Sequence, residues 1–211
     1  MLLSGGIDSA TALYLTKGKH QVRALTFEYM GIARSELSAA SAIASRAGVL
    51  EHRMVRLPDL KEAADIPGFR PPGLPPTYVP LRNGIFYAFA ASYAEETGAA
   101  YIVGGHNKDD TGVFADVSSE FFGSLQSAFL KGSPILRKNR LRIIRPLRSL
   151  RKPEVIRLAA SLGVPLESTW SCQRDSEEHC WSCDGCLTRE RCFREAGVVD
   201  PLAGPKPEKI T

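Results

Sequence analysis

The chain has 211 residues, 44% of them hydrophobic and 24% charged, with a formal net charge of +4. That length fits one domain, or one domain with a small appendage, and suffices to bury a core without covalent staples. The composition excludes collagen, coiled coil and intrinsic disorder. No run of 18 apolar residues is present to cross a membrane, and Met1-Leu2-Leu3-Ser4-Gly5-Gly6 lacks the basic and apolar regions of a signal peptide, so a cytoplasmic protein is expected.

In chain order, Leu2-Leu3 reads as the tail of a strand, and Ser4-Gly5-Gly6-Ile7-Asp8-Ser9 turns into a helix ending near Gly18. With only three residues ahead of its glycines, that first strand is expected to be truncated or the chain to begin further upstream. Val22 to Phe27 reads as a strand, and from Ser35 the residues Leu37, Ala40, Ala44 and Ala47 recur at helical spacing until Gly48. Arg53 to Leu57 reads as a further short strand. Residues 58–80 then break every pattern, because six of the fourteen prolines lie between Pro67 and Pro80. A binding loop or lid is expected there.

Asn83 to Thr97 reads as a helix with Ile85, Phe86, Phe89 and Tyr93 as its apolar face, stopped by Gly98. Tyr101 to Gly105 is a strand, Ser119 to Lys131 a helix with Phe121, Phe122, Leu125 and Phe129 on one face, and Leu141 to Ile144 a strand. Pro153 to Leu162 is a helix with Pro in its first turn and Gly163 after its end. This alternation predicts an α/β fold, a Rossmann-like parallel sheet flanked by helices. Ligands then bind beyond the carboxyl ends of the strands, where Ser4–Ser9, Tyr29–Arg34, the proline segment and Gly104–Asp116 gather.

The loop Ser4-Gly5-Gly6-Ile7-Asp8-Ser9 sits where a strand hands over to a helix. Two glycines let the backbone approach a phosphate, and the helix N-terminus offers free N–H donors. Ser4 and Ser9 add hydroxyl donors, whereas Asp8 serves through Mg²⁺. The plainer alternative is a glycine turn before a helix. The hexapeptide is the SGGxDS signature of the PP-loop ATP pyrophosphatases, which grip the leaving pyrophosphate as ATP adenylates a substrate.

All five cysteines fall in the last 40 residues, and Cys172, Cys180, Cys183 and Cys186 form a C-x7-C-x2-C-x2-C pattern. Four thiolates at this spacing satisfy a closed, structural tetrahedral Zn²⁺ site. An iron–sulfur cluster or free thiols are the alternatives. Cys192 is expected to be a buried thiol within a helix from Leu187 to Ala196, and His179 is a weaker substitute ligand.

Together the two motifs resemble the 7-cyano-7-deazaguanine synthases, the QueC/ExsB family of the PP-loop superfamily. Tyr78-Val79-Pro80-Leu81-Arg82-Asn83 resembles the family's F-V-P-x-R-N, and Gly104 to Asp116 its loop ending in Tyr-Pro-Asp-Cys. Pro146 to Glu154 resembles its P-L-x-x-x-x-K-x-E segment, and Ser168 to Cys172 its entry into the cysteine cluster.

The resemblance implies that ATP adenylates 7-carboxy-7-deazaguanine and ammonia displaces AMP to give the amide. A second activation then dehydrates the amide to the nitrile, for queuosine or archaeosine in tRNA. It implies catalytic roles for Asp8, Arg82 and Lys152, ATP binding by Leu3, Ser4, Gly5, Gly6, Asp8 and Ser9, and substrate binding by Asn83 and Asp116. It further implies one Zn²⁺ per chain on Cys172, Cys180, Cys183 and Cys186, Mg²⁺ with ATP, and a homodimer without a nucleic-acid partner. Residues 1–165 would form the nucleotide-binding domain and 166–211 a zinc-binding segment packed on it.

The family's Tyr-x-Gln-Arg-His stands here as Tyr29-Met30-Gly31-Ile32-Ala33, and its Tyr-Pro-Asp-Cys as Phe114-Ala115-Asp116-Val117. Both departures lie around the expected substrate pocket. They leave open a divergent relative that adenylates another carboxylate or a protein. The basic run Arg137, Lys138, Arg140, Arg142, Arg145, Arg148, Arg151 and Lys152 leaves open a tRNA-modifying PP-loop enzyme. A zinc-stabilised scaffold without activity is the third reading.

Overall fold

The computed structural model describes residues 1–70, 72–74, 78–112 and 114–203. Part of the proline-rich segment, Val113 of the loop ending at Asp116, and the last eight residues of the expected zinc-binding segment lie outside the described residues.

The element order is α1 (Ile7–Lys17), β1 (Arg23–Tyr29), α2 (Arg34–Ala47), β2 (Glu51–Leu57), α3 (Arg82–Thr97), β3 (Tyr101–Val103), α4 (Ser119–Gly132), α5 (Pro134–Lys138), β4 (Arg142–Ile144), α6 (Lys152–Ser161) and α7 (Asp184–Ala196). Strand β1 pairs parallel with β2, Arg23 opposite Glu51 through Tyr29 opposite Leu57, and β3 pairs parallel with β4.

Residues 1–3 join the two pairs. Leu3 N donates to Leu25 O and Leu25 N to Met1 O, both at 2.8 Å, while Leu2 N donates to Val103 O at 2.9 Å. The expected first strand is therefore reduced to one parallel bridge between Leu2 and Leu25, in the middle of the sheet.

Side chains alternate across the sheet, as strand geometry demands. Ala24 and Val103 face one core with Leu3, Ile7, Leu13, Ile43 and Ile156, drawn from α1, α2 and α6. Leu25, Phe27 and Ile102 face a second core with Tyr87, Phe122, Leu136 and Leu141, drawn from α3, α4, α5 and the turn before β4. Helices thus cover both faces, and the inner strand β1 buries Ala24 to Phe27 for that reason, whereas β2, with Glu51, His52, Arg53 and Arg56, stays half-exposed.

Two helical faces differ from expectation. On α3 the buried residues are Asn83, Tyr87, Ala90, Ala91, Tyr93 and Ala94, and Phe89 is 44% exposed. The small alanines let α3 lie close to the sheet, while Phe86 stacks on Phe27 with ring centroids 4.0 Å apart. On α2 the buried set is Ala39, Ala40, Ile43 and Ala44, one step round the helix from the expected stripe. Among the described residues no helix is long and apolar enough to cross a membrane.

Candidate active site

The first glycine of the phosphate loop is dictated by close packing. Gly5 has φ +85°, and a Cβ there would stand 2.5 Å from Glu36 O and 2.8 Å from Ala40 N, both backbone atoms. Gly105, at the end of β3, could not carry a side chain either, since a Cβ would meet Ser9 N at 2.7 Å. The turn after β3 therefore rests directly on the first turn of α1.

The loop is held open by its serines. Ser4 N donates to Ser9 Oγ at 3.2 Å, and Ser9 Oγ donates to Gly6 O at 3.0 Å. Ser9 thus spends its single hydroxyl proton inside the loop. The exposed Ser4 Oγ lies 3.2 Å from Ser9 Oγ and accepts the Gly6 N–H at 3.4 Å, at the rim where a ligand could compete for it. No side chain caps α1 at Gly6, so its first N–H groups and the positive end of its dipole face outward.

A cavity of about 330 Å³ opens over this loop. It brings together Leu3, Ser4, Asp8, Ser9, Arg82 and Asn83 of the expected site. Lys152, at the start of α6, reaches the cavity by donating from Nζ to Asp8 Oδ2. The other oxygen, Asp8 Oδ1, is buried without a hydrogen-bond partner. Arg82 Nη1 donates to Tyr29 Oη at 3.2 Å. Asp116 is held by the chain itself: its Oδ2 accepts the backbone N–H of Asn83 at 3.1 Å and so caps the start of α3. It borders a small recess with Tyr78, Arg82 and Phe114, beside the main cavity.

Three further cavity residues carry chemistry that spacing alone did not single out. Glu36, in the first turn of α2, has its carboxyl pushed up to about 7 by burial, with Arg82 pulling it back and Glu62 reinforcing the shift. His106 is pushed down to about 4, first by burial and then by the Arg145 charge, and so is neutral. Asp110 is raised by burial and by the nearby Asp8, while accepting the Asn107 N–H at 3.0 Å. Glu36 was visible only as an acid in a helix's first turn. His106 and Asp110 lie just past the end of β3, where the carboxyl-end rule could have found them.

The four cysteine sulfurs of 172, 180, 183 and 186 lie within 4.8 Å of one another. A tetrahedral ion with metal–sulfur bonds of about 2.3 Å needs sulfur pairs about 3.8 Å apart. Cys180 to Cys186 and Cys172 to Cys183 are each 3.9 Å, so the residues fit such an ion. Hydrogen bonds from Ser182 hold Cys180 down to about 5, a preformed thiolate, whereas burial pushes Cys186 up to about 12. Cys192 is buried in the core with Phe193 and Ile156, away from this cluster. The His179 ring sits 4.3 Å from that of Trp170, and its Nε2 accepts the Ser171 N–H, which leaves it outside the sulfur set.

The cluster is fastened to the phosphate loop. Trp170 N donates to Gly5 O at 3.0 Å, two residues before the first cysteine. Arg34 N donates to Asp175 Oδ1 at 2.9 Å, and Ser35 Oγ donates to Ser176 O, at the start of α2.

The sequence matches the family described as "Queuosine biosynthesis protein QueC" over residues 1–197. The chain belongs to the QueC family. Proteins named 7-cyano-7-deazaguanine synthase from Nostoc punctiforme and Thermosynechococcus vestitus are 37% and 38% identical to it, covering 96% of this chain and 97% and 93% of their own lengths. The protein of that name from Thermoplasma acidophilum is 36% identical over 96% of this chain and 90% of its own. The solved NMN synthetase of Francisella tularensis superposes with a TM-score of 0.55 at 18% identity, covering 94% of this chain and 76% of that one. That likeness speaks to the fold alone: this QueC family member shares its α/β architecture with an enzyme of a different name.

Within the QueC frame two members of the basic run belong to the core and the site. Arg145 is buried, donating to Val117 O and Ser119 Oγ and lying over the Phe122 ring. Arg151 faces Asp109, and Lys152 holds Asp8. Arg145 and Lys152 are thus taken up by the core and the site, while Arg137, Lys138, Arg140, Arg142, Arg148 and Arg151 stay exposed.

Proposed function

We propose that this chain converts 7-carboxy-7-deazaguanine and ammonia to 7-cyano-7-deazaguanine at the expense of ATP, by way of an acyl-adenylate and an amide. The observation that carries the reading is the open end of α1 at the bottom of the cavity, framed by Ser4, Asp8, Lys152 and Arg82. Uncapped N–H groups there suit a pyrophosphate leaving group.

The chain's residues divide the work in a simple way. The N–H groups of the first turn of α1, with the Ser4 hydroxyl, bind the β- and γ-phosphates. Lys152 and Arg82 supply positive charge on either side, stabilising the charge that develops on pyrophosphate and on the adenylate. Phe27, Tyr29 and Phe86 form an apolar wall for a flat base. Asn83 and Asp116 stand at the start of α3, where the free Asp116 oxygen can take an N–H of the guanine-like ring. Mg²⁺ bound with ATP would be held by Asp8, whose buried Oδ1 has no protein partner, and would neutralise phosphate charge.

One Zn²⁺ on the four sulfurs, the division into residues 1–165 and 166–211, free ammonia as nitrogen donor and a cytoplasmic homodimer belong to the same reading. The zinc is a structural ion on this reading, because four protein sulfurs leave no open position for a substrate. The direct test is pyrophosphate release from ATP with and without 7-carboxy-7-deazaguanine and ammonium. Release that depends on the acid supports the assignment, and release indifferent to it refutes the substrate.

A further inference from the structure

The cavity wall holds a carboxyl group that phosphate binding does not use. Glu36 lines the cavity with Ser4, Asp8, Tyr29 and Arg82, and its own backbone carbonyl packs against Gly5. Three groups face it from three elements: Arg82 on α3, Tyr29 on β1 and Glu62 in the segment after β2. Arg82 gives its hydrogen bond to Tyr29 Oη and acts on Glu36 by charge.

Making an amide from an adenylate requires a base. As ammonia adds to the acyl carbon, a C–N bond forms and the nitrogen becomes positive. It must shed one proton before the C–O bond to AMP breaks and AMP departs with the bonding pair. The other candidates in the cavity are ill suited. Asp8 is held by Lys152, and Asp110 accepts the Asn107 N–H. Burial leaves His106 with too little affinity for a proton to hold one near neutral pH. A carboxyl that titrates near neutrality can both accept and release a proton at the working pH.

We propose that Glu36 is the catalytic base that takes the proton from nitrogen as ammonia attacks the acyl-adenylate held beside Arg82. This rests on the synthase reading above. Glu36 starts as the carboxylate, ends as the acid after amide formation, and returns its proton to solvent when AMP leaves.

The test uses the full chain and two variants, Glu36→Gln and Glu36→Asp, with 7-carboxy-7-deazaguanine, ATP and ammonium chloride. Amide formation is followed in a single turnover, and ATP–pyrophosphate exchange is measured in parallel without ammonium. Glu36→Gln is expected to slow amide formation by about 10²-fold or more, and exchange by less than about tenfold. Glu36→Asp, which restores a carboxylate, recovers at least about a tenth of the wild-type rate. At constant free ammonia, the wild-type rate rises with pH through about 7, and Glu36→Gln loses that limb.

Equal losses in exchange and amide formation would overturn the proposal by making Glu36 a binding or folding residue. Wild-type amide formation in Glu36→Gln, or an unchanged pH limb, would overturn it as well. If the wild-type chain itself shows no acid-dependent exchange, the synthase reading fails first and takes this proposal with it.

Discussion

Lys152 Nζ donates to Asp8 Oδ2 across a sequence separation of 144 residues, closing the phosphate loop against the start of α6. Lysine at a helix N-terminus opposes the helix dipole, and the Asp8 carboxylate offsets that cost. Both side chains keep about a fifth of their surface open, 22% for Asp8 and 21% for Lys152, so the pair is reachable by a bound nucleotide. Asp8→Asn and Lys152→Met are each expected to lower ATP–pyrophosphate exchange by about 10²-fold. The double variant should lose little more than either single one, because the two act as a unit. Additive losses would show that they work separately.

The cysteine cluster is expected to hold about one zinc per chain, measured by elemental analysis. Cys180→Ser, which removes the sulfur held most firmly as a thiolate, should abolish stoichiometric zinc and lower the thermal midpoint. Because Trp170 N bonds to Gly5 O, pyrophosphate binding should weaken in the same variant, by about tenfold, although Cys180 touches no phosphate-loop atom. Iron with sulfide in place of zinc would contradict the structural-zinc account.

Arg189 and Asp200 tie the end of the described chain to its core. The guanidinium is fully buried and donates to both Asp200 oxygens at 2.7 and 2.8 Å, to Leu166 O at 3.1 Å and to Thr169 Oγ1 at 2.8 Å. Removing one partner leaves a buried charge unpaired, so Asp200→Ala should cost roughly 3–5 kcal/mol in denaturant unfolding. Removing both with apolar replacements of similar size should cost less than the single variant.

Much of this was legible beforehand because it depends on local rules. The SGGxDS loop announces itself by its glycine pair, of which Gly5 has no room for a Cβ, and the cysteine cluster by ligand spacing. The alternation of strands and helices gave the parallel α/β layers for the same reason. What escaped depends on tertiary neighbours. Phe89 reads as core by periodicity, yet alanines take the buried face of α3 and leave it outside. Asp116 reads as a substrate acceptor, and only the fold shows that Asn83 N takes one of its two oxygens. Glu36 looks like an ordinary first-turn acid, and only burial facing Arg82 and Glu62 makes it chemically distinct. Arg189 carries no sequence signal at all, since a lone arginine in a charged helix is normally solvated.

His106 makes stability sensitive to acid. Burial lowers its proton affinity from the ordinary 6.5 to about 4, so the unfolded chain takes up a proton first as pH falls. This contribution is therefore complete above about pH 6.5 and is lost progressively toward pH 4, at up to about 1.4 kcal/mol per pH unit. His106→Phe, which keeps a ring beside Tyr87 and Phe122, should flatten the fall in unfolding free energy over that interval. An unchanged slope would assign the acid sensitivity to other groups.

The most direct test of the account is the product balance of one complete reaction. The wild-type chain is incubated with 7-carboxy-7-deazaguanine, ammonium and ATP, and products are resolved by mass spectrometry. The account predicts 7-cyano-7-deazaguanine, with the amide appearing before it, and two AMP and two pyrophosphate for each nitrile formed. ATP turnover that proceeds without the acid, or consumption of the acid that yields neither amide nor nitrile, would contradict it.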